Sequence, residues 1–271
     1  MIGGEYMKFY DFQYDGLNLS DMGYMICSFS SEGLKTIGNG SQIVFNTVPV
    51  LNGGKNELLS TEYTDCLEST FQICKNPCSD SDLEISQTDF LDLTSWLNRK
   101  EFHKFKLLKD DYLDLYFEAS FNINRIELNG KLYGLELNMI TNRPYALREP
   151  SVITIKNDIK NGKKSFYDLS NEEGHIYPTK IVIEVKESGD LSIYNNLDDR
   201  TMIIKNCIAG ETITLEYPII YSSIASHKIQ NDFNWMFFRI ANTFKNKKND
   251  LTISLPCKIE IMYSPIIKIG F

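Results

Sequence analysis

The chain has 271 residues, of which 42% are hydrophobic and 24% charged, the balance of a folded globular protein with room for one large domain or two ordinary ones. Its 28 Lys and Arg against 36 Asp and Glu leave a net charge of −8, which removes any global electrostatic case for nucleic-acid binding through phosphates. The longest apolar stretches, such as Met236-Phe237-Phe238, fall far short of the ~20 residues that cross a bilayer, so no membrane helix is expected.

The segment Met1-Ile2-Gly3-Gly4-Glu5-Tyr6 carries an early acid and no apolar run, so a secretory signal is not expected and synthesis in the cytoplasm is. Six cysteines, at 27, 66, 74, 78, 207 and 257, are too dilute for a disulfide framework and contain no CxxC pair; they read as reduced and mostly buried.

In the first half, Gly53-Gly54-Lys55 invites comparison with a phosphate loop. That motif needs Gly where Pro49 stands and Ser or Thr where Asn56 stands, so the segment reads as a loop between strands. Asp80, Asp82 and Glu84 open like a calcium loop, but Ile85 replaces the turn glycine and Leu91 the bidentate glutamate; a polar loop leading into a helix accounts for them. Asp89 to Asn98 places Phe90, Leu93, Trp96 and Leu97 at helical spacing, with Thr88 as the N-cap. Leu113, Leu115, Phe117, Ala119 and Phe121 then alternate along a long strand. Asn129-Gly130 marks a hairpin turn; a strict two-residue loop pairs Leu128 with Lys131, and the register stays open.

Pro144 and Pro150 bracket an extended segment, which sets a domain boundary near residue 149 and divides the chain into 1–149 and 150–271. Beyond Ser151 the sequence reads as strands and loops only. Ile181 to Val185, the turn Glu187-Ser188-Gly189-Asp190 and the alternation at Leu191 and Ile193 read as a hairpin. The same logic joins Met202–Lys205 through Ala209-Gly210-Glu211 to Ile213, Leu215 and Tyr217. A last pair follows, with Leu251, Ile253 and Leu255 before Pro256 and Ile259, Ile261 and Tyr263 after it. Short strands with regular turns and no intervening helices imply an antiparallel sandwich of jelly-roll type.

No catalytic, metal or cofactor site is expected. His103, His175 and His227 lack ligand spacing, there is no GxSxG, and the pairs Asp110-Asp111 and Asp198-Asp199 read as turn-solvating carboxylates. The run from Phe233 to Phe238 has two readings. As an alternating strand it puts Phe233, Trp235 and Phe237 on one face, where they serve as core or interface packing or, alternatively, as a platform for carbohydrate.

Taken in order, several short segments resemble the distal tail proteins (Dit) of phages of Gram-positive bacteria. Phe12-Gln13-Tyr14-Asp15-Gly16 with Ser20-Asp21-Met22-Gly23, leading to a strand over Tyr24 to Phe29, is similar to that family's opening. Trp96-Leu97, Phe102-His103-Lys104-Phe105 and Tyr116-Phe117-Glu118-Ala119 resemble the middle of its N-terminal domain, and Gly134 to Met139 with Pro144-Tyr145-Ala146 its end. Gly174-His175-Ile176-Tyr177-Pro178, Gly189 to Asn196, Gly210-Glu211 and Tyr263-Ser264-Pro265 are similar to its galectin-like sandwich.

The resemblance implies a mainly β protein with one or few helices, a ring-forming N-terminal domain and a galectin-like sandwich. It also implies a hexameric hub ring joining the distal end of the tail tube to the tail-tip or baseplate hub and receptor-binding proteins. The implied location is the virion tail tip of a bacteriophage or prophage, assembled in the host cytoplasm, with no catalytic residues, no cofactor, and a genome that passes through the channel without specific binding. A carbohydrate-binding module that attaches to the host surface is the alternative function.

Overall fold

The computed structural model describes residues 11–29, 43–50, 53–79, 82–109 and 112–268. Asp80, Asp110, Asp111 and the Met1–Tyr6 segment lie outside them. The described residues form two units, one reaching to Leu147 and including Lys268, the other spanning Arg148–Ile267.

The first unit contains β1 (Phe12–Tyr14), β2 (Leu17–Asn18), β3 (Tyr24–Cys27), β4 (Ile43–Pro49), β5 (Asn56–Tyr63), β6 (Glu68–Lys75), α1 (Gln87–Leu97), β7 (His103–Leu107), β8 (Leu115–Leu128), β9 (Lys131–Thr141) and β10 (Ala146–Arg148). Eight of these strands make one sheet, seven in the order β2-β1-β7-β8-β9-β6-β3 with β10 also pairing with β8, while among the described residues β4 and β5 pair only with each other. Every ladder with a resolved register in this unit is antiparallel.

Alternation decides the faces of the sheet. Phe12, Tyr14, Phe105, Phe117, Phe121, Leu135 and Leu137 are buried on one side, where α1 lies against them. Trp96 stacks on Phe12 with ring centroids 6.0 Å apart, and its indole nitrogen donates to the carbonyl of Tyr14 at 3.1 Å. The helix starts one turn-defining residue pair earlier than the spacing of its apolar side chains implies. Ser86, not Thr88, is the cap: its hydroxyl accepts from the Asp89 amide, and the Asp89 carboxylate accepts from the Ser86 amide, satisfying two otherwise orphaned donors reciprocally.

The other face of the sheet is polar along Thr70, Gln72, Asn124, Glu136 and Asn138, and apolar at one end, where Met25, Cys74 and Ile126 lie beside Phe29. Thr70 donates to Asn138 at 2.8 Å, and Gln72 and Asn124 both donate to Glu136 at 3.3 Å, so cross-strand neighbours use side-chain hydrogen bonds in place of apolar contact. At the end of β8 the register resolves as a two-residue loop. Leu128 pairs with Lys131, and Asn129 and Gly130 both take positive φ, 51° and 77°, as a type I′ turn demands.

The second unit contains β11 (Ser151–Asn157), β12 (Gly162–Tyr167), β13 (Gly174–Ile176), β14 (Lys180–Val185), β15 (Gly189–Asn195), β16 (Arg200–Cys207), β17 (Thr212–Glu216), β18 (Ile219–Ser222), a single helical turn α2 (Ile229–Asp232), β19 (Ile240–Asn242), β20 (Lys248–Ile253), β21 (Cys257–Tyr263) and β22 (Ile266–Ile267). One sheet runs β11-β21-β14-β17-β18 and the other β12-β20-β15-β16, with β13 and β19 paired separately. Inward residues of both sheets, including Ile181, Ile183, Ile259 and Ile261 from the first and Leu191, Ile193, Met202 and Leu251 from the second, form one continuous core. This is the sandwich expected from the alternating pattern.

Its connections differ from the expected hairpins. β14 and β15 lie in different sheets, as do β16 and β17, and β20 and β21. Each pair of strands has an apolar inward face, which a hairpin and a crossover satisfy equally. Here the chain crosses the core instead of folding back, and Gly189, at φ 149°, opens the first of these crossings in a conformation that L side chains rarely adopt. The true hairpins are β15–β16, in which Asn195 pairs with Arg200, and β17–β18, in which Glu216 pairs with Ile219 across a cis Tyr217-Pro218 bond. The helical turn α2 also interrupts a region read as strands and loops only. Tyr217 falls outside β17 and is exposed.

All six cysteines are free. Only Cys207 and Cys257 are buried; Cys66 and Cys78 are exposed because they fall in connections between strands and not on inward strand positions. Burial pushes the Cys207 thiol up to about 12 and that of Cys257 to about 11, so both are protonated and inert at neutral pH.

Candidate functional site

The aromatic run is not an alternating strand. Phe233 makes an isolated bridge with Ile204 directly after α2, and Asn234 is fastened to the edge of β16 by three hydrogen bonds and to Met236 by a fourth. Its amide donates to the Ile203 carbonyl, its side-chain oxygen accepts from the amides of Ile203 and Met236, and its side-chain nitrogen donates to the Thr201 carbonyl. Trp235 then takes φ 58°, an unusual conformation for so large a side chain.

That left-handed residue breaks the two-residue period. Phe233 and Phe237 turn inward with Phe238, while Trp235 stands 56% exposed. Phe233 and Phe237 meet edge to face at 4.9 Å, Phe237 meets Tyr217 edge to face at 5.3 Å, and Tyr217 stacks on Tyr177 at 4.2 Å. Of the three residues singled out in the sequence, two are therefore core and one is a surface ring backed by that core.

Two charged clusters that the sequence did not reveal sit nearby in the same unit. Asp198, expected to solvate a turn, is instead buried and holds Arg239 through both carboxylate oxygens while His175 lies 2.9 Å from its Oδ1. Glu211 is fully buried; it accepts from the Ser222 hydroxyl and the Ile208 amide and lies 2.6 Å from His227 Nδ1, with Asp232 3.4 Å from the other ring nitrogen. Burial alone would raise the Glu211 carboxyl, but the Ser222, Ile208 and His227 contacts outweigh it and hold the group below its ordinary value.

A serine, a histidine and a glutamate together raise the question of catalysis, and their order answers it. A nucleophilic serine needs the imidazole between itself and the acid. Here the carboxylate lies between Ser222 and His227, and His227 and Glu211 are closed off from solvent. The cluster pins the segment after β18 to the sandwich. His103 lies by Asp15 at 3.7 Å, so each histidine stands beside a different carboxylate, and the three are not brought together. Among the described residues no group of three His, Cys, Asp or Glu side chains is placed to hold a metal ion. Asp82 accepts from the Glu84 amide and Glu84 pairs with Lys131, so these two carboxylates are engaged with the protein.

Gly53, Gly54 and Lys55 lie at the turn of the β4–β5 hairpin, where the Val50 amide donates to the Lys55 carbonyl. Both faces of this hairpin are exposed, and they carry Phe45 at 62% and Leu59 at 67% together with Ile43, Val48 and Leu58. In the same unit, a groove of about 600 Å3 is lined by Met25, Phe29, Pro77, Leu83, Leu128 and Tyr133, among others, and is predominantly apolar.

Comparison with protein families matches the N-terminal domain of a phage tail protein over residues 7–143 and a phage tail C-terminal domain over residues 145–263. The chain belongs to this family of phage tail proteins. No curated protein sequence matches it. Among solved structures it is similar to the Dit protein (gp 19.1) of phage SPP1, described as a paradigm of the hub adsorption apparatus in phages that infect Gram-positive bacteria. The TM-score is 0.61 at 9% identity, over 95% of this chain and 99% of that one. The tail protein thus has the β-rich fold of a Dit protein along nearly its whole length.

Proposed function

We propose that this tail protein is a structural, non-enzymatic hub that assembles as a hexameric ring at the distal end of the tail tube. Residues 1–149 form the ring, and residues 150–271 serve the tail-tip or baseplate hub and the receptor-binding proteins. The single observation that carries the ring is the β4–β5 hairpin. A two-stranded ribbon is marginal in water by itself, and one with apolar side chains exposed on both faces needs a covering surface. A neighbouring copy supplies one in the apolar groove around Phe29 and Leu128.

The polar sheet face around Thr70, Gln72, Asn124, Glu136 and Asn138 suits the wall of a channel through which a genome moves. It offers a hydroxyl, three amides and one carboxylate, and a chain at −8 does not retain a polyanion. Light scattering of the purified protein tests the reading. A particle of six times the 31.2 kDa chain mass, or a stacked pair of such rings, supports it; a monomer that persists when tail tube protein is added overturns it.

A further inference from the structure

Two of the six cysteines stand together. In the β3–β6 ladder Met25 pairs with Cys74 and Cys27 with Gln72, so Cys27 and Cys74 lie on adjacent strands, on one face of the sheet, as diagonal neighbours. Their thiols are in hydrogen-bonding contact across that diagonal, and both residues are only partly buried. Of the other four, Cys207 and Cys257 belong to the sandwich core, and Cys66 and Cys78 fall in connections outside the ladder.

The span between the two is close to what a disulfide needs. Such a bond joins Cα atoms up to about 6.8 Å apart, and diagonal neighbours in an antiparallel pair are about 7–8 Å apart. The contact between the thiols shows that the side chains reach across. β3 is the end strand of its sheet and ladders only with β6 among the described residues, so a small shift of β3 breaks no second ladder. Just beyond Cys27, the Phe29 amide donates to the Gln72 side chain at 2.9 Å, and the Phe29 ring lies over Gly134, where a Cβ would meet it at 2.3 Å. These contacts hold the end of β3 against β6.

From this geometry we propose that Cys27 and Cys74 form a modification site, at which a small-molecule disulfide such as oxidised glutathione converts the two thiols to an intrachain disulfide between β3 and β6. Burial, and next the Cys74 contact, hold the Cys27 thiol above its ordinary value and protonated at neutral pH, so the first attack falls to Cys74. The Cys74 thiolate attacks one sulfur of the small disulfide, the S–S bond breaks and one thiolate leaves. Cys27 then gives up its proton to solvent and attacks the Cys74 sulfur, which releases the second thiolate. In sum, two protein thiols lose two electrons and two protons, and the small disulfide is reduced to two thiols. A tail protein on a released virion stands outside the reducing cytosol, in surroundings where such a bond persists. The staple fixes the end strand β3 and does not depend on ring formation.

The test incubates the full chain with oxidised glutathione at mildly alkaline pH, traps the remaining thiols by alkylation in denaturant and maps the peptides by mass spectrometry. The expected product joins the Cys27 and Cys74 peptides, and it also forms when Cys66 and Cys78 are both replaced by Ser. In Cys27→Ser the reaction stops at a glutathione adduct on Cys74, and in Cys74→Ser the Cys27 thiol is consumed at least about tenfold more slowly than in the unaltered chain. Three results overturn the proposal: Cys66 and Cys78 react to completion while no link between Cys27 and Cys74 forms; Cys27 or Cys74 joins Cys66 or Cys78 instead; or the unaltered chain, like Cys27→Ser, ends as the adduct.

Discussion

The guanidinium of Arg239 spans the carboxylate of Asp198, with Nε 3.1 Å from Oδ2 and Nη2 2.5 Å from Oδ1, at a position where the aspartate side chain is almost fully buried. The geometry is bidentate, and His175 adds a third contact to the same carboxylate. Asp198→Ala leaves Arg239 and His175 without their anion and is expected to destabilise the protein by about 2–3 kcal/mol, toward the low end for a broken buried pair because Arg239 keeps some contact with water. Urea denaturation checks this as a lowered midpoint at unchanged slope. Asp198→Asn, which keeps an acceptor, loses less.

Acid should unfold the sandwich through Glu211. Its folded carboxyl sits below the ordinary value of 4.5, so its contribution is fully present above about pH 4.5 and disappears as pH falls through the folded value. The expected observation is a melting temperature that is flat near neutrality and declines below about pH 4.5. Glu211→Gln is expected to lower the melting temperature at neutral pH and to make that acid decline shallower. An unchanged decline in the variant would show that other carboxylates govern it.

Trp235 and Phe237 lie two residues apart and should respond unequally to truncation. Phe237→Ala empties a core position and is expected to cost about 3–5 kcal/mol. Trp235→Ala removes a half-exposed ring and should cost less than about 1 kcal/mol. Because Trp235 sits at φ 58°, Trp235→Gly should be more stable than Trp235→Ala by about 1 kcal/mol. Thermal denaturation of the three variants side by side decides it.

The strand-rich sandwich and the helix of the first unit were legible in the sequence because burial writes itself as period: Ile181, Ile183 and Val185 alternate, and Leu93, Trp96 and Leu97 recur at helical spacing. What alternation does not carry is the partner of a strand. β14 and β15 look like a hairpin because a turn lies between them, yet an inward face can be buried against either sheet, and the choice is made by contacts with β21 and β20, far away in sequence. The aromatic run was misread for a local reason. One positive φ at Trp235, next to the Asn234 that is fastened to β16, turns the indole outward and lets Phe237 and Phe238 both face inward, and neither the strain nor the fastening has a sequence period.

The hairpin supplies the sharpest separation between folding and assembly. Phe45, Leu58 and Leu59 are exposed in the single chain, so replacing Leu59 with Asp removes no core contact and should leave the urea midpoint of the monomer unchanged within about 0.5 kcal/mol. In a ring the same carboxylate would be buried against the apolar groove of the neighbour, unpaired, and a buried unpaired charge is strongly disfavoured. Leu59→Asp is therefore expected to shift the light-scattering mass from the ring toward 31.2 kDa with no loss of secondary structure by circular dichroism. Leu128→Asp, made in the groove itself, should act in the same way. If either variant still forms the full ring, the hairpin is not buried in the groove of its neighbour, and the ring is held by other surfaces.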